Sequence, residues 1–237
     1  MFLNKVKKSI KDLFRYPALK KFDETYETYW QSRDIETPIL NSFQQKRADL
    51  VLRYLKEGDS VLDIGCGDGK VLSYLKSKVS LGEVLGIDFS DSVLKKARER
   101  GVKVIQKDLR SLKSLDDVAI FDYVILFEFL EHFSNSEEFL EWALRHSQKG
   151  VVFSVPNTGY IVHRLRLLLG RFPLQWKTTP SEHVRFWTVK DVRWWLKQLN
   201  IKNYNLHLYE GFPLLNKIWP GLFGQGILVF IETINRK

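Results

Sequence analysis

Glu128, Glu131, His132 and His183 have the side chains best suited to do chemistry in this chain. Glu128 and Glu131 stand three apart, and His132 follows directly. If that stretch is helical, Glu128 shares a face with Glu131 or His132. Carboxylate oxygens and imidazole nitrogens can hold a divalent ion. His132 or His183 can equally serve as a metal-free base that takes a proton from a reacting group. His132 can also simply hydrogen-bond within the fold. A second constellation is Val61-Leu62-Asp63-Ile64-Gly65-Cys66-Gly67-Asp68-Gly69-Lys70, which sets three glycines among two carboxylates and one thiol.

The elements that must position these groups read clearly. Val61, Leu62 and Ile64 form a short buried strand. Gly65, Gly67 and Gly69 form a turn where the backbone can take unusual angles and approach a ligand. A helix from Lys70 then points its unpaired N–H groups at the same spot. The dinucleotide fingerprint G-x-G-x-x-G would need a glycine where Lys70 stands. Asp63 and Asp68 would repel a pyrophosphate and attract a cationic ligand. The expected cofactor therefore carries a ribose, an adenine and a positive end, as S-adenosylmethionine does.

Further strands end in acids. Glu83-Val84-Leu85-Gly86-Ile87-Asp88-Phe89 places Asp88 23 residues after Gly65, the spacing at which an acid holds a ribose diol in doubly wound folds. Ser90-Asp91 starts a helix that stops before Gly101. The alternating run from Val102 to Leu109 ends at Asp108. Later strands are expected at Phe121 to Leu126, Gly150 to Val155, Asn205 to Tyr209 and Gly226 to Glu232, and a helix with a Thr188–Asp191 capping box is expected from near Thr188. Acids at the carboxyl edge of one sheet stand where open α/β sheets bind ligands.

Through these motifs the chain, from about residue 20 to 235, resembles the class I S-adenosylmethionine-dependent methyltransferases. The resemblance implies an α/β, Rossmann-like doubly wound sheet of seven strands whose last pair is antiparallel. It assigns cofactor contacts to Asp63, Gly65, Cys66, Gly67, Asp68, Asp88, Phe89, Asp108, Leu109 and Phe127. Asp108 and Leu109 would lie against the adenine. Ser154-Val155-Pro156-Asn157, the leucine run after it and His183-Val184-Arg185-Phe186-Trp187-Thr188 look closest to the group named after methionine-biosynthesis protein W. Some members that methylate hydroxyls of quinone precursors or RNA ends carry a similar E-x-x-E-H and use a metal. In the RNA-end members a later histidine, in a setting like that of His183, completes the site. A metal is one option here and a metal-free base another. Arg33 could meet the cofactor's carboxylate.

The 237 residues suit one α/β domain. The single cysteine, Cys66, excludes an internal disulfide and suits a reducing, cytoplasmic setting; in the turn it reads as a small residue rather than a reactive thiol. The net charge of +9 is local: residues 1–21 carry seven Lys or Arg against Asp12, and 161–187 carry five against Glu182. Phe2, Val6, Ile10 and Leu13 share one helical face among lysines. Residues 1–21 are therefore read as a basic amphipathic helix ahead of a domain at 22–237. That helix can lie on an anionic membrane surface, cap the cofactor site or pack on the domain. An acceptor-side insertion is expected at about 158–187, where leucines beside arginines suit a substrate partly apolar and partly anionic, or a helix with solvated arginines.

The reaction expected is methyl transfer from S-adenosylmethionine to an acceptor the sequence does not name, an oxygen on a small or lipid-linked molecule being one option. Two other roles remain: a non-catalytic cofactor-binding partner of another enzyme, and an RNA methyltransferase. No RNA-binding module is recognisable, which argues against nucleic acid.

Overall fold

The computed structural model describes residues 2–16, 37–174, 183–212 and 214–233. Arg33, residues 17–21 and the stretch 175–182 lie outside the described residues. A single sheet holds β1 (Val61–Ile64), β2 (Val84–Asp88), β3 (Lys103–Gln106), β4 (Phe121–Phe127), β5 (Ser147–Pro156), β6 (Tyr204–Tyr209) and β7 (Gly226–Glu232). Its order is β3-β2-β1-β4-β5-β7-β6. β1 to β5 run parallel, while β7 pairs antiparallel with both β5 and β6. The expected seven strands and antiparallel closing pair are present.

Both faces of the sheet are covered, so its central strands are continuous apolar runs. Leu62 and Ile64 face one core with Phe139, Trp142, Val192 and Trp195. These come from α5 (Ser136–Arg145) and α7 (Val189–Gln198). The Thr188–Asp191 capping box opens α7 as the sequence implied, with Thr188 Oγ1 accepting from Asp191 N–H and Asp191 Oδ2 accepting from Thr188 N–H. Trp195 is buried and Trp194 exposed. Val61 points to the opposite core with Ala48, Val51, Leu72, Leu75 and Ala97. Those residues belong to α2 (Ser42–Val51), α3 (Lys70–Lys78) and α4 (Asp91–Glu99). By strand alternation Asp63 shares the face of Val61, towards α2.

From β1 the chain builds the sheet outward through β2 to β3, and then crosses back from β3 to place β4 on the other side of β1. The crevice at the carboxyl ends of β1 and β4 is thus the switch point where such sheets take ligands. The described part of the insertion includes α6 (Ile161–Leu168), and α1 (Phe2–Phe14) lies against it. Two short helices, α8 (Leu215–Ile218) and α9 (Pro220–Phe223), join β6 to β7.

Candidate functional site

The glycine turn is held open by its backbone. Gly65, Gly67 and Gly69 have φ of 79°, 53° and 71°, angles that side chains rarely tolerate. A Cβ on Gly65 would come within 2.8 Å of the Phe129 ring, and one on Gly69 within 2.7 Å of Ala97 Cβ. The first glycine therefore lets the β4 loop close onto the turn. Asp88, buried at the end of β2, accepts from Gly67 N–H at 2.9 Å and from Ser90 N–H at 3.1 Å. Its carboxylate shapes the turn and starts α4.

Asp63 is fully enclosed, and its Oδ1 has no hydrogen-bond partner among the described residues. Burial pushes its carboxyl up to about 8; Arg47 opposes the rise and Asp88 adds to it. Arg47, on α2, is itself buried and leaves its Nε without a hydrogen-bond partner among the described residues. One of its terminal nitrogens lies 3.2 Å from Ser154 Oγ and 3.4 Å from Glu128 Oε1. Its guanidinium stacks 4.6 Å from the centre of the Phe127 ring. An unsatisfied buried acceptor and an unsatisfied buried donor thus sit in one charge cluster beside the glycine turn. A bound group with both an ammonium and a carboxylate would satisfy the two, and the methionine end of S-adenosylmethionine is such a group. The residues fit that cofactor.

Sequence reading missed Arg47. The signal was the box Asn41–Gln44, in which Asn41 Oδ1 accepts from Gln44 N–H and Gln44 Oε1 accepts from Asn41 N–H. It marks a helix start ahead of β1.

Other expected cofactor residues are placed differently. Asp68 pairs at 3.1 Å with Lys70 Nζ, and its carbonyl accepts from Arg100 at 2.7 Å. Its charge is committed inside the fold. The Cys66 thiol packs against Gly86, where a Cβ would meet it at 2.6 Å, and burial pushes its pKa well up. That makes it an unreactive packing residue. Asp108 stands two residues beyond the end of β3 and is exposed. Arg110 grips it with two side-chain hydrogen bonds of 2.8 Å, which hold the carboxyl down at about 2. Leu109 is buried behind it, and Phe89 is partly exposed under the Arg110 guanidinium, 5.2 Å away.

The four candidates for chemistry divide. Only Leu130–His132 is helical, as one 3-10 turn. Glu128 precedes it with φ of 50°, a left-handed conformation unusual for a non-glycine. That bend corrects the expectation of a shared helical face. Glu128 turns towards Arg47, Ser154 and Tyr209. Glu131, His132 and His183 come together instead, each offering a ligand-type atom within 4.8 Å of the others. The carbonyl of Glu131 accepts from Val184 N–H at 2.9 Å and Arg185 N–H at 3.1 Å. Those bonds bring His183 to the β4 loop. Arg185 is clamped on Glu137 at 2.5 and 2.7 Å, which fixes the same strip from its other side. His163 is buried on α6, apart from this group, with burial and Arg166 holding its imidazole down at about 4.

A doubly wound sheet closed by an antiparallel pair, with a glycine turn at its switch point, is the fold of class I S-adenosylmethionine-dependent methyltransferases. The structure of the plantazolicin methyltransferase BpumL in complex with SAH superposes with a TM-score of 0.61, covering 98% of this chain and 99% of that one at 18% identity. Within the class, the chain belongs to the family described as methionine biosynthesis protein MetW, which matches residues 46–231. It is 32% identical over 167 residues to the bifunctional methionine biosynthesis protein MetXA/MetW of Rhodopirellula baltica, covering 64% of this chain and 26% of that one. The chain thus spans about a quarter of that relative's length. It is 26% identical over 198 residues to the ubiquinone biosynthesis O-methyltransferase of Rickettsia bellii, covering 78% of this chain and 80% of that one.

Proposed function

We propose that this protein binds S-adenosylmethionine at the carboxyl edge of β1 and β2 and transfers its methyl group to an acceptor oxygen. The observation that carries this reading is the close approach of Phe129 to Gly65, which ties the loop running on to Glu131 and His132 to the glycine turn. In the proposed complex Asp63 takes the ammonium, Arg47 the carboxylate and Asp88 the ribose hydroxyls. Asp108 and Leu109 flank the adenine once Arg110 yields. The sulfonium, when bound, supplies an already activated methyl, so the chain's task is alignment. A lone pair on the acceptor oxygen forms the new C–O bond as the C–S bond breaks, and S-adenosylhomocysteine leaves. His132 or His183 accepts the proton lost by the hydroxyl. The same three side chains have the donor set of a divalent-ion site with open positions, and such an ion would hold the acceptor oxygen.

The relative named as an O-methyltransferase favours an oxygen acceptor. Transfer of labelled methyl into fractionated cell extract, with and without chelator, tests the reading. Label in one ribonuclease-resistant fraction supports it and names the acceptor class. Ribonuclease-sensitive label would move the acceptor to RNA. No label from protein that binds the cofactor would leave a non-catalytic partner of another enzyme.

A further inference from the structure

α1 is fastened to α6 by a buried cation. Val6 and Leu13 pack into a cluster with Tyr160, Val162 and Phe212. Arg166 is almost wholly buried, and its guanidinium donates to the carbonyls of Asp12, Leu13 and Arg15 at the end of α1 and, at 2.8 Å, to the carbonyl of Phe172. It thereby satisfies carbonyls that the helix end leaves open. The attachment leaves an unusual surface around it. Leu168 is 81% exposed and Tyr16 62%, and Phe14, Leu169 and Phe172 are exposed beside them. Arg171 stands among these groups, 4.8 Å from the Tyr16 ring centre and 5.8 Å from that of Phe14. Lys7, Lys8 and Lys11 project into solvent from α1. No acid occurs between residues 161 and 174, and Asp12 is the one acid among residues 2–16.

We infer that this corner of α1 and α6 docks on an anionic phospholipid bilayer. Leucine and aromatic side chains would enter the headgroup boundary while arginines and lysines meet lipid phosphates. Charge selects this occupant, because a basic rim around an apolar centre would repel a second copy of itself. No helix among the described residues is long and apolar enough to cross a membrane, so this surface would lie in the interface plane. Phe172 meets the Phe186 ring edge-on at 6.5 Å, three residues from His183. The docking face thus continues to the strip that carries His183. Resting on the methyl-transfer reading, this gives the acceptor as an amphiphile presented from the bilayer.

The test is co-sedimentation of the full chain with vesicles of phosphatidylcholine alone and of phosphatidylcholine with phosphatidylglycerol. Binding is expected to the mixed vesicles and to fall with added salt. The pair Leu168→Ser and Leu169→Ser should weaken it at least about tenfold, and Arg171→Ala should weaken it separately. Circular dichroism and affinity for S-adenosylhomocysteine, measured on the same samples, should stay unchanged. No binding to the mixed vesicles, or equal binding by the leucine variant, overturns the inference. So does a concentration-dependent dimer that the leucine variant abolishes, which would make a second copy the occupant. Cofactor affinity is read separately, so loss of the docking claim and loss of the methyltransferase reading remain distinguishable.

Discussion

The imidazoles of His132 and His183 meet edge to face with their ring centres 4.8 Å apart. They reach this contact from elements far apart in the chain, and the carbonyl of Glu131 holds the second strip in place through two backbone N–H groups. A pair of imidazoles beside a fully buried carboxylate can act as a base or ligate an ion, and the two roles respond differently to chelation.

His183→Gln should lower kcat by about 100-fold, the order of a lost general base, while leaving affinity for S-adenosylhomocysteine unchanged. If an ion takes part, chelator should abolish wild-type activity and manganese should restore it, but not in His183→Gln. Methyl transfer followed with and without chelator reads both. An unchanged kcat in His183→Gln would remove the residue from the chemistry.

Asp88→Ala should weaken cofactor binding by about 10- to 100-fold, since a charged acceptor is lost where a ribose diol would sit. It should also loosen the glycine turn, because Gly67 N–H donates to this carboxylate. Titration calorimetry with S-adenosylhomocysteine measures the first effect and hydrogen exchange at Gly67 the second. Unchanged affinity would refute the assignment.

Asp63 gives a pH dependence of defined sign. Burial raises its carboxyl from 3.8 to about 8, so the ligand-free fold binds a proton there that the unfolded chain has released. The proton-binding difference makes this group's contribution to stability fall as pH rises from about 4 towards about 8. A ligand ammonium needs the ionised form, so binding should expel the proton. Affinity for S-adenosylmethionine should tighten severalfold between about pH 6 and about pH 7.5, and Asp63→Asn should flatten the profile. Arg47→Ala should weaken binding at every pH by removing the partner of the carboxylate. A flat wild-type profile would argue against contact between Asp63 and the ammonium.

Gly65→Ala should destabilise the fold by about 1–3 kcal/mol, because a Cβ there must adopt a left-handed conformation and displace the Phe129 ring. Denaturant titration gives the loss. The same variant should impair cofactor binding and methyl transfer together, since Phe129 leads directly into the turn that carries Glu131 and His132.

Much of the scaffold was legible because its signals are local. β1, β2, β4 and the second half of β5 are short apolar runs, the glycine turn follows β1 directly and Asp88 ends β2. Where reading failed, the deciding contact came from elsewhere in the chain. The alternation after Val102 continues to Leu109, but pairing with β2 ends at Gln106, so Asp108 falls in a loop at an exposed edge. Asp68 resembles a ligand residue until Lys70 and Arg100 close on it. Arg47 lies on a polar-looking helix whose importance comes only from the distant residues it meets, Ser154, Glu128 and Phe127 among them. The bend at Glu128 leaves no trace in composition, because glutamate does not announce a positive φ. The periodicity of α1 marks an amphipathic face without naming what covers it; Val6 and Leu13 pack on the domain, whereas Ile10 stays exposed.

The bend at Glu128 has a thermodynamic consequence. One short peptide carries Glu128 back to Arg47 and carries Glu131 forward to the two histidines. A ligand that draws Arg47 away from Glu128 would remove one of the contacts on the bend, those to Ser154 and Tyr209 remaining. On the proposed reading cofactor and acceptor would share one segment, and each should alter the other's binding constant by the same factor. The magnitude of that reciprocity would measure how stiff four residues at the end of β4 are.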